Sequence, residues 1–219
     1  MSIWTSRSAL VLATCLLAGC EAGISVGRDF AGALFPREAP DSYAVANNAV
    51  IVSGPPGYCI DPDESQDGIT AFVLLGSCAS ITRNPRADTP IDLALVTVTV
   101  SSDAETFLDI DTVAEELYAF IQTDPGRATL SRSGDPASVV IRETRVEDGA
   151  LLFRAEDVSP GRPDGTGSEF WRALLDVNNT LVTVSVLSLE DRPISAARGM
   201  NTLSNTIREI RNASGAVSG

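Results

Sequence analysis

Any chemistry this chain performs has to be assembled from carboxylates, arginines, hydroxyls and cysteines, because its 219 residues contain no histidine and no lysine. Without imidazole there is no Ser-His-Asp or Cys-His nucleophile system, no HExxH zinc site and no histidine base. Without a lysine amine there is no Schiff base, no Ser-Lys dyad and no phosphate-loop lysine. G-x-G-x-x-G does not occur, and the G-x-S-x-G formed by Gly23-Ile24-Ser25-Val26-Gly27 has no histidine or lysine anywhere in the chain to activate its serine. What survives is carboxylate chemistry from 29 acids and sulfur chemistry from Cys15, Cys20, Cys59 and Cys78.

Two acidic stretches have the residue types for a site. Asp164-Gly165-Thr166-Gly167 has the composition of an aspartic-protease loop, but Gly165 separates the acid from Thr166 and the chain holds no second copy. With Pro160, Gly161 and Pro163 just before it, a loop is expected. Asp61-Pro62-Asp63-Glu64-Ser65-Gln66-Asp67-Gly68 alternates acids as calcium loops do. An EF-hand places Gly at position 6 and a bidentate Glu at position 12, where this stretch has Gln66 and Phe72. Asp61, Asp63 and Asp67 would bind calcium only if their oxygens converge, and a solvated turn is the plainer expectation. A glycan-cleaving pair would need two carboxyls about 5 to 10 Å apart in a cleft. The sequence therefore assigns no catalytic residue, no cofactor and no metal ligand.

The cysteines are sorted by the N-terminus. After Arg7 comes an apolar run from Ala9 to Leu17, interrupted only by Thr14, then Ala18, Gly19 and Cys20. About ten residues are far short of the ~20 that span a bilayer, but they suit a signal-peptide apolar core. Leu17-Ala18-Gly19-Cys20 resembles the lipobox of bacterial lipoproteins. That likeness implies removal of residues 1–19, acylation of Cys20 and attachment to a membrane facing an oxidising compartment. Cys15 is then discarded and Cys20 lipidated, leaving Cys59 and Cys78 as an even pair expected to form a disulfide. Their spacing is not C-x-x-C, and no histidine is at hand as a metal co-ligand. The bridge would close a loop of about 20 residues and stabilise the fold by roughly 3 kcal/mol. Glu21, rather than Asp, follows the lipidated cysteine, which favours the outer membrane over the inner one.

Residues 20–42, punctuated by Gly23, Gly27, Gly32, Pro36 and Pro40, read as a flexible tether with a reach on the order of 25 Å. Residues 43–213 read as one domain and 214–219 as a disordered tail. The formal charge is −13, every basic residue is arginine, and no arginine cluster offsets the acids. Nucleic acid is excluded as a partner on that ground. The expected contacts are the membrane, through the lipid on Cys20, and an envelope protein.

The elements that must position these residues are mostly hairpins. Ala44-Val45-Ala46 and Val50-Ile51-Val52 flank Asn47-Asn48; Trp171–Val177 and Leu181–Val186 flank Asn178-Asn179; Val139–Arg142 and Leu151–Arg154 flank Glu147-Asp148-Gly149. Val182, Val184 and Val186 alternate with Thr183 and Ser185, the pattern of a half-buried strand. Further strands are expected over residues 69–75 and 93–100. A helix capped by Asp111 or Thr112 should bury Val113, Leu117, Phe120 and Ile121 and end at Asp124-Pro125-Gly126. A last helix, residues 194–211, should bury Ala197, Met200, Leu203, Ile207 and Ile210. The aromatics Tyr118, Phe120, Phe170 and Trp171 are expected in the core.

The predicted fold is α+β, an antiparallel β-sheet of hairpins flanked by two amphipathic helices. This element order, with Gly54-Pro55-Pro56-Gly57-Tyr58 after the second strand, resembles the domain shared by the PsbP and Mog1 proteins. The likeness implies a non-catalytic binding or assembly module and carries over no functional residue. The lipobox combined with Gly-Tyr-Cys-Ile-Asp-Pro also resembles short lipoproteins of alphaproteobacteria. A carboxylate-dependent envelope hydrolase acting on glycans, or a small-ligand or calcium carrier, are the alternative expectations.

Overall fold

A computed structural model describes residues 37–103 and 110–215. The expected signal peptide, Cys20 and most of the expected tether lie outside the described residues. The architecture is α+β. A two-stranded ribbon pairs β1 (Ser42–Val45) with β2 (Val50–Ser53). An antiparallel sheet of seven strands is built from β3 (Tyr58–Ile60), β4 (Thr70–Ser77), β5 (Ala94–Ser101), β6 (Val139–Glu147), β7 (Ala150–Asp157), β8 (Thr166–Val177) and β9 (Thr180–Leu189), in the spatial order β3-β4-β5-β9-β8-β7-β6. The helices are a single turn, α1 (Cys78–Ile81), followed by α2 (Ile110–Ile121), α3 (Asp124–Leu130) and α4 (Ala196–Gly215).

The expected hairpins form for the expected reason. Asn178 and Asn179 take φ of 51° and 60° and join β8 to β9 in a two-residue turn, while Asp148 and Gly149, at 48° and 65°, do the same for β6 and β7. Both turns need two successive left-handed residues, which Asn, Asp and Gly accept at least cost. In the first ribbon Ala46, Asn47 and Asn48 are all left-handed, and the Ala49 amide bonds back to the Ala46 carbonyl at 3.1 Å.

Strand alternation divides the sheet into two faces. On one face Val73, Leu75, Val96, Val98, Ala173, Leu175, Val182, Val184 and Val186 are buried beneath α4 and the first ribbon. Helix α4 contributes Met200, Leu203, Ile207 and Ile210, as its spacing required. Trp171 is fully buried against it and its indole N–H donates to the Ala196 carbonyl at 3.1 Å. The approach is so close that a Cβ on Gly199 would sit 2.1 Å from Trp171 Cε2. Only glycine lets the helix backbone rest on the indole. On the other face α2 and α3 cover the β6–β8 half, packing Ile110, Ala114 and Ile121 over Leu151, Phe153 and Phe170.

Several expectations shift. The chain is held to the domain from Arg37 onward, because the Arg37 amide bonds to the Thr82 carbonyl at 3.0 Å and Pro40 accepts from the Ile60 amide at 3.0 Å. The last part of the expected tether is therefore structured. At the other end α4 runs through Gly215, and buried Ser214 accepts from the Ile51 amide at 2.9 Å, so the expected tail is helical at its start. Helix α2 starts at Ile110, which places Asp111 and Thr112 inside it instead of capping it. Asp124-Pro125-Gly126 does not stop helical structure; it ends α2 and opens α3, with Thr123 as the cap and Pro125 where a missing N–H costs nothing. Tyr118 and Phe120 are 47% and 44% exposed, because the buried stripe of α2 runs along Ile110, Ala114 and Ile121 instead. Ala197 is exposed, its expected place against the sheet taken by Gly199.

Candidate functional site

Besides a groove where Glu147 and Asp148 face Arg208 and Arg211 of α4, four places in the described residues bring chemically able side chains together. The first is the disulfide corner. Cys59 of β3 and Cys78 at the start of α1 are bonded, with Cα atoms 4.7 Å apart. Asp41 Oδ1 lies 3.7 Å from Cys59 Sγ, but with the two sulfurs bonded to each other no thiolate is left for a metal. Beside this corner the guanidinium of Arg37 takes both carboxylate oxygens of Asp61 at 2.9 Å, pairs with Asp63 and donates through Nε to the Ile81 carbonyl at 2.6 Å. Asp67 turns elsewhere and accepts from the amides of Ala46 at 3.1 Å and Gly68 at 2.8 Å. The three aspartates weighed as calcium ligands therefore do not converge. An arginine from the segment expected to be tether supplies the cation for two of them, and the sequence offered no signal for that pairing.

The second place is a shallow depression of about 420 Å³ that brings together Glu156, Glu169 and Glu190 with Ser168. Each carboxylate faces an arginine: Arg142 to Glu156 at 2.8 Å, Arg154 to Glu169, and Arg162 to Glu190 at 4.0 Å. The hydrogen bond from Arg142, outweighing partial burial and helped by Ser168, holds the Glu156 carboxyl below its usual range. A general acid needs the opposite shift. The neighbouring Asp157 is shut off from solvent. Burial works against its charge, yet donors from the Ser159 amide at 2.9 Å and the Arg132 amide at 3.1 Å prevail and hold its pKa down. Asp157 thereby ties the segment after α3 to the end of β7. The Asp164-Gly165-Thr166-Gly167 stretch is a turn leading into β8, with Gly165 at φ 77° and the Thr166 hydroxyl donating to the Pro163 carbonyl at 2.7 Å.

The third place is a groove of about 340 Å³ between Pro55, Pro56, Tyr58, Pro90 and Asn205 of α4. Gly57 sits at φ 89° with the Pro90 nitrogen 2.5 Å from where its Cβ would be, so the Pro-Pro-Gly-Tyr turn packs backbone to backbone on the loop before β5. The Tyr58 hydroxyl donates to the Asp92 carbonyl at 2.7 Å, and burial pushes its pKa well above the ordinary tyrosine value. Ile91 projects beside the groove, 90% exposed.

The fourth place is the open half of the sheet, on the face opposite α4. Register aligns Arg172, Ser185, Thr97 and Leu74 in one row across β8, β9, β5 and β4. The rows on either side hold Leu187 and Leu95, and Thr183, Thr99 and Phe72. All of these except buried Ser185 are half-buried, and among the described residues no helix packs over them. Arg172 lies at the border with the part covered by α2 and α3. Its Nε donates to Ser185 Oγ at 2.9 Å, and its guanidinium carbon stands 5.0 Å from the centre of the Phe170 ring. Its two Nη nitrogens meet no acceptor among the described residues and are not sealed from solvent. Burial, with the charge of Arg132 nearby, lowers its pKa from the usual arginine value, against the opposing pull of the Asp157 carboxylate, which is itself paired with Arg132. Arg37, Arg132, Arg154 and Arg162 are also partly buried, and each has a carboxylate partner; Arg172 has none. The strand alternation that buries Trp171 was readable in the sequence and puts Arg172 on the opposite face, but its unpaired state was not.

Comparison with protein-family models, with curated proteins and with solved structures gives no match.

Proposed function

We propose that this chain is a lipid-anchored cell-envelope protein: residues 1–19 are removed, Cys20 carries the lipid, and the α+β domain serves as a non-catalytic binding or assembly module, with the PsbP and Mog1 likeness as its fold relationship. The observation that carries the binding reading is the fate of the carboxylates. The acids that could have formed a site are instead neutralised by Arg37, Arg142, Arg154 and Arg162, and Glu156 and Asp157 titrate below their usual range. That is the signature of acids used to hold structure. The Cys59–Cys78 bridge fits an oxidising compartment. Three acyl chains at about 0.8 kcal/mol per buried methylene would make the membrane attachment effectively permanent. Glu21 after the anchor favours the outer membrane.

Fractionation of cells producing the full chain and its Cys20→Ala variant tests the anchor. The parent should sediment with the outer membrane and the variant should be released or left uncut; normal processing with unchanged sedimentation rejects the reading. Turnover of peptidoglycan or polysaccharide that disappears in Glu156→Gln or Glu169→Gln would replace the binding module with a carboxylate hydrolase.

A further inference from the structure

We infer that the open strip formed by β4, β5 and β9 docks an acidic segment of a partner envelope protein, whose carboxylate takes the Nη side of Arg172. This rests on the binding-module reading and names the surface and the chemistry of the partner. Arg172 is a partly desolvated cation in a strongly acidic chain, and no carboxylate of that chain meets it among the described residues. A guanidinium in such surroundings gains most from a planar carboxylate that takes both Nη groups, and such charge-assisted pairs are about twice as strong as neutral hydrogen bonds. The Ser185 bond and the Phe170 ring already orient the side chain, so little rotamer freedom is left to lose on pairing.

The rest of the strip argues for a protein occupant. Three strands about 4.8 Å apart make a surface roughly 10 Å wide, the width of one helix or a pair of strands. Among the described residues nothing rises over it to enclose a small molecule, which must bury most of its surface. Leu74, Leu95, Leu187 and Phe72 alternate with Thr97, Thr99 and Thr183, a mixture of aliphatic and hydroxyl groups typical of a protein interface and too polar for acyl chains alone. The strip itself carries no acid, so a symmetric pairing of two copies through it would leave both Arg172 side chains unmatched.

The test uses the full-length chain in the cells that make it, with a benzophenone amino acid at position 99 on the strip and, separately, at position 91 beside the proline groove. Position 99 should cross-link to one protein, through a peptide with Asp or Glu within a helical turn of the attachment point. Arg172→Gln should lower the yield at least tenfold, and Arg172→Lys, which keeps the charge but not the two-nitrogen fork, should recover only part of it. Thr97→Glu is the second variant: its carboxylate lies two strands from Arg172, close enough to pair with it, so the fold is kept while a partner's acid is repelled, and cross-linking should fall to the same extent with the melting temperature unchanged or higher. A yield unaffected by Arg172→Gln and Thr97→Glu, adducts only with lipid or with a second copy of this chain, or no adduct at position 99 overturns the inference. If position 91 captures a partner from the anchored chain while position 99 does not, the docking strip fails and the binding-module reading stands.

Discussion

Trp171 and Arg172 are adjacent in β8 and meet opposite environments. Trp171 points into a dry interface where a helix backbone rests directly on its ring, its one polar atom satisfied by a carbonyl. Arg172 points across the sheet into a half-covered layer, where it touches a hydroxyl and an aromatic ring but, among the described residues, no carboxylate. Both are large side chains on the same strand of the same sheet, and both lose water on folding. The difference separates a residue kept for the fold from one the fold gains little by keeping. An indole packed to close contact returns its desolvation as dispersion and apolar burial. A guanidinium desolvated without a carboxylate does not.

The comparison breaks most sharply at Trp171. Trp171→Ala should cost about 3–5 kcal/mol, read as the shift in denaturant midpoint at unchanged m-value. From the helix side of the same contact, Gly199→Ala should cost about 1–3 kcal/mol by overpacking, although alanine is the better helix former. A loss under 0.5 kcal/mol in Gly199→Ala would mean that α4 does not sit as closely on the indole as described.

A smaller effect than Trp171→Ala is expected where a covalent bond carries the stability. Cys59→Ala with Cys78→Ala should lower stability by about 2–4 kcal/mol through the freed loop. Thiol alkylation of the native protein without reductant should label neither cysteine. Because Arg37 clamps the same corner to Asp61, Asp63 and Ile81, the doubly substituted chain should still fold.

Asp157 sharpens the contrast between a buried charge with partners and one without. Its folded pKa is lowered, so its contribution is fully present above the ordinary aspartate range and is lost as pH falls through the depressed folded value. Acid titration of stability should therefore show a loss at low pH that is absent in Asp157→Asn. That variant should be about 1–3 kcal/mol less stable at neutral pH. Equal acid sensitivity in both proteins would show that other groups carry the acid transition.

The smallest effect is expected at Arg172 itself. Arg172→Met keeps the packing over Phe170 and removes the unpaired charge, so stability should change by less than about 1 kcal/mol and in either direction. A loss of several kcal/mol in thermal or denaturant unfolding would make Arg172 a structural residue and erase its difference from Trp171.

Much of this arrangement was legible because it depends on local rules. Asn47-Asn48, Asn178-Asn179 and Asp148-Gly149 marked the hairpins, since few residues accept successive positive φ angles. The alternation of Val182 to Val186 marked a strand with one buried face, and the spacing of Met200, Leu203, Ile207 and Ile210 marked a helix stripe. Cys59 and Cys78 were paired by elimination. Where the reading failed, a local rule met a longer-range competitor. Phe120 lost its place because the stripe of α2 is set by what β7 and β8 present to it, and Ala197 lost its place because Trp171 admits only a glycine.

By itself, then, the sequence determined most of the strands and their turns, the two amphipathic helices and the absence of histidine and lysine chemistry, all consequences of residue type and spacing within a few positions, while the short strand β3 and helix α3 carried no such local pattern. Only the tertiary structure decided the partners of the charges. Arg37 reaches Asp61 and Asp63 across 24 and 26 residues, and Arg132 meets Asp157 across 25. Ion pairing at such separations depends on where strands and loops are brought together in space, which no local pattern encodes. The same holds for Arg172, which touches no carboxylate among the described residues because of what the sheet face around it presents.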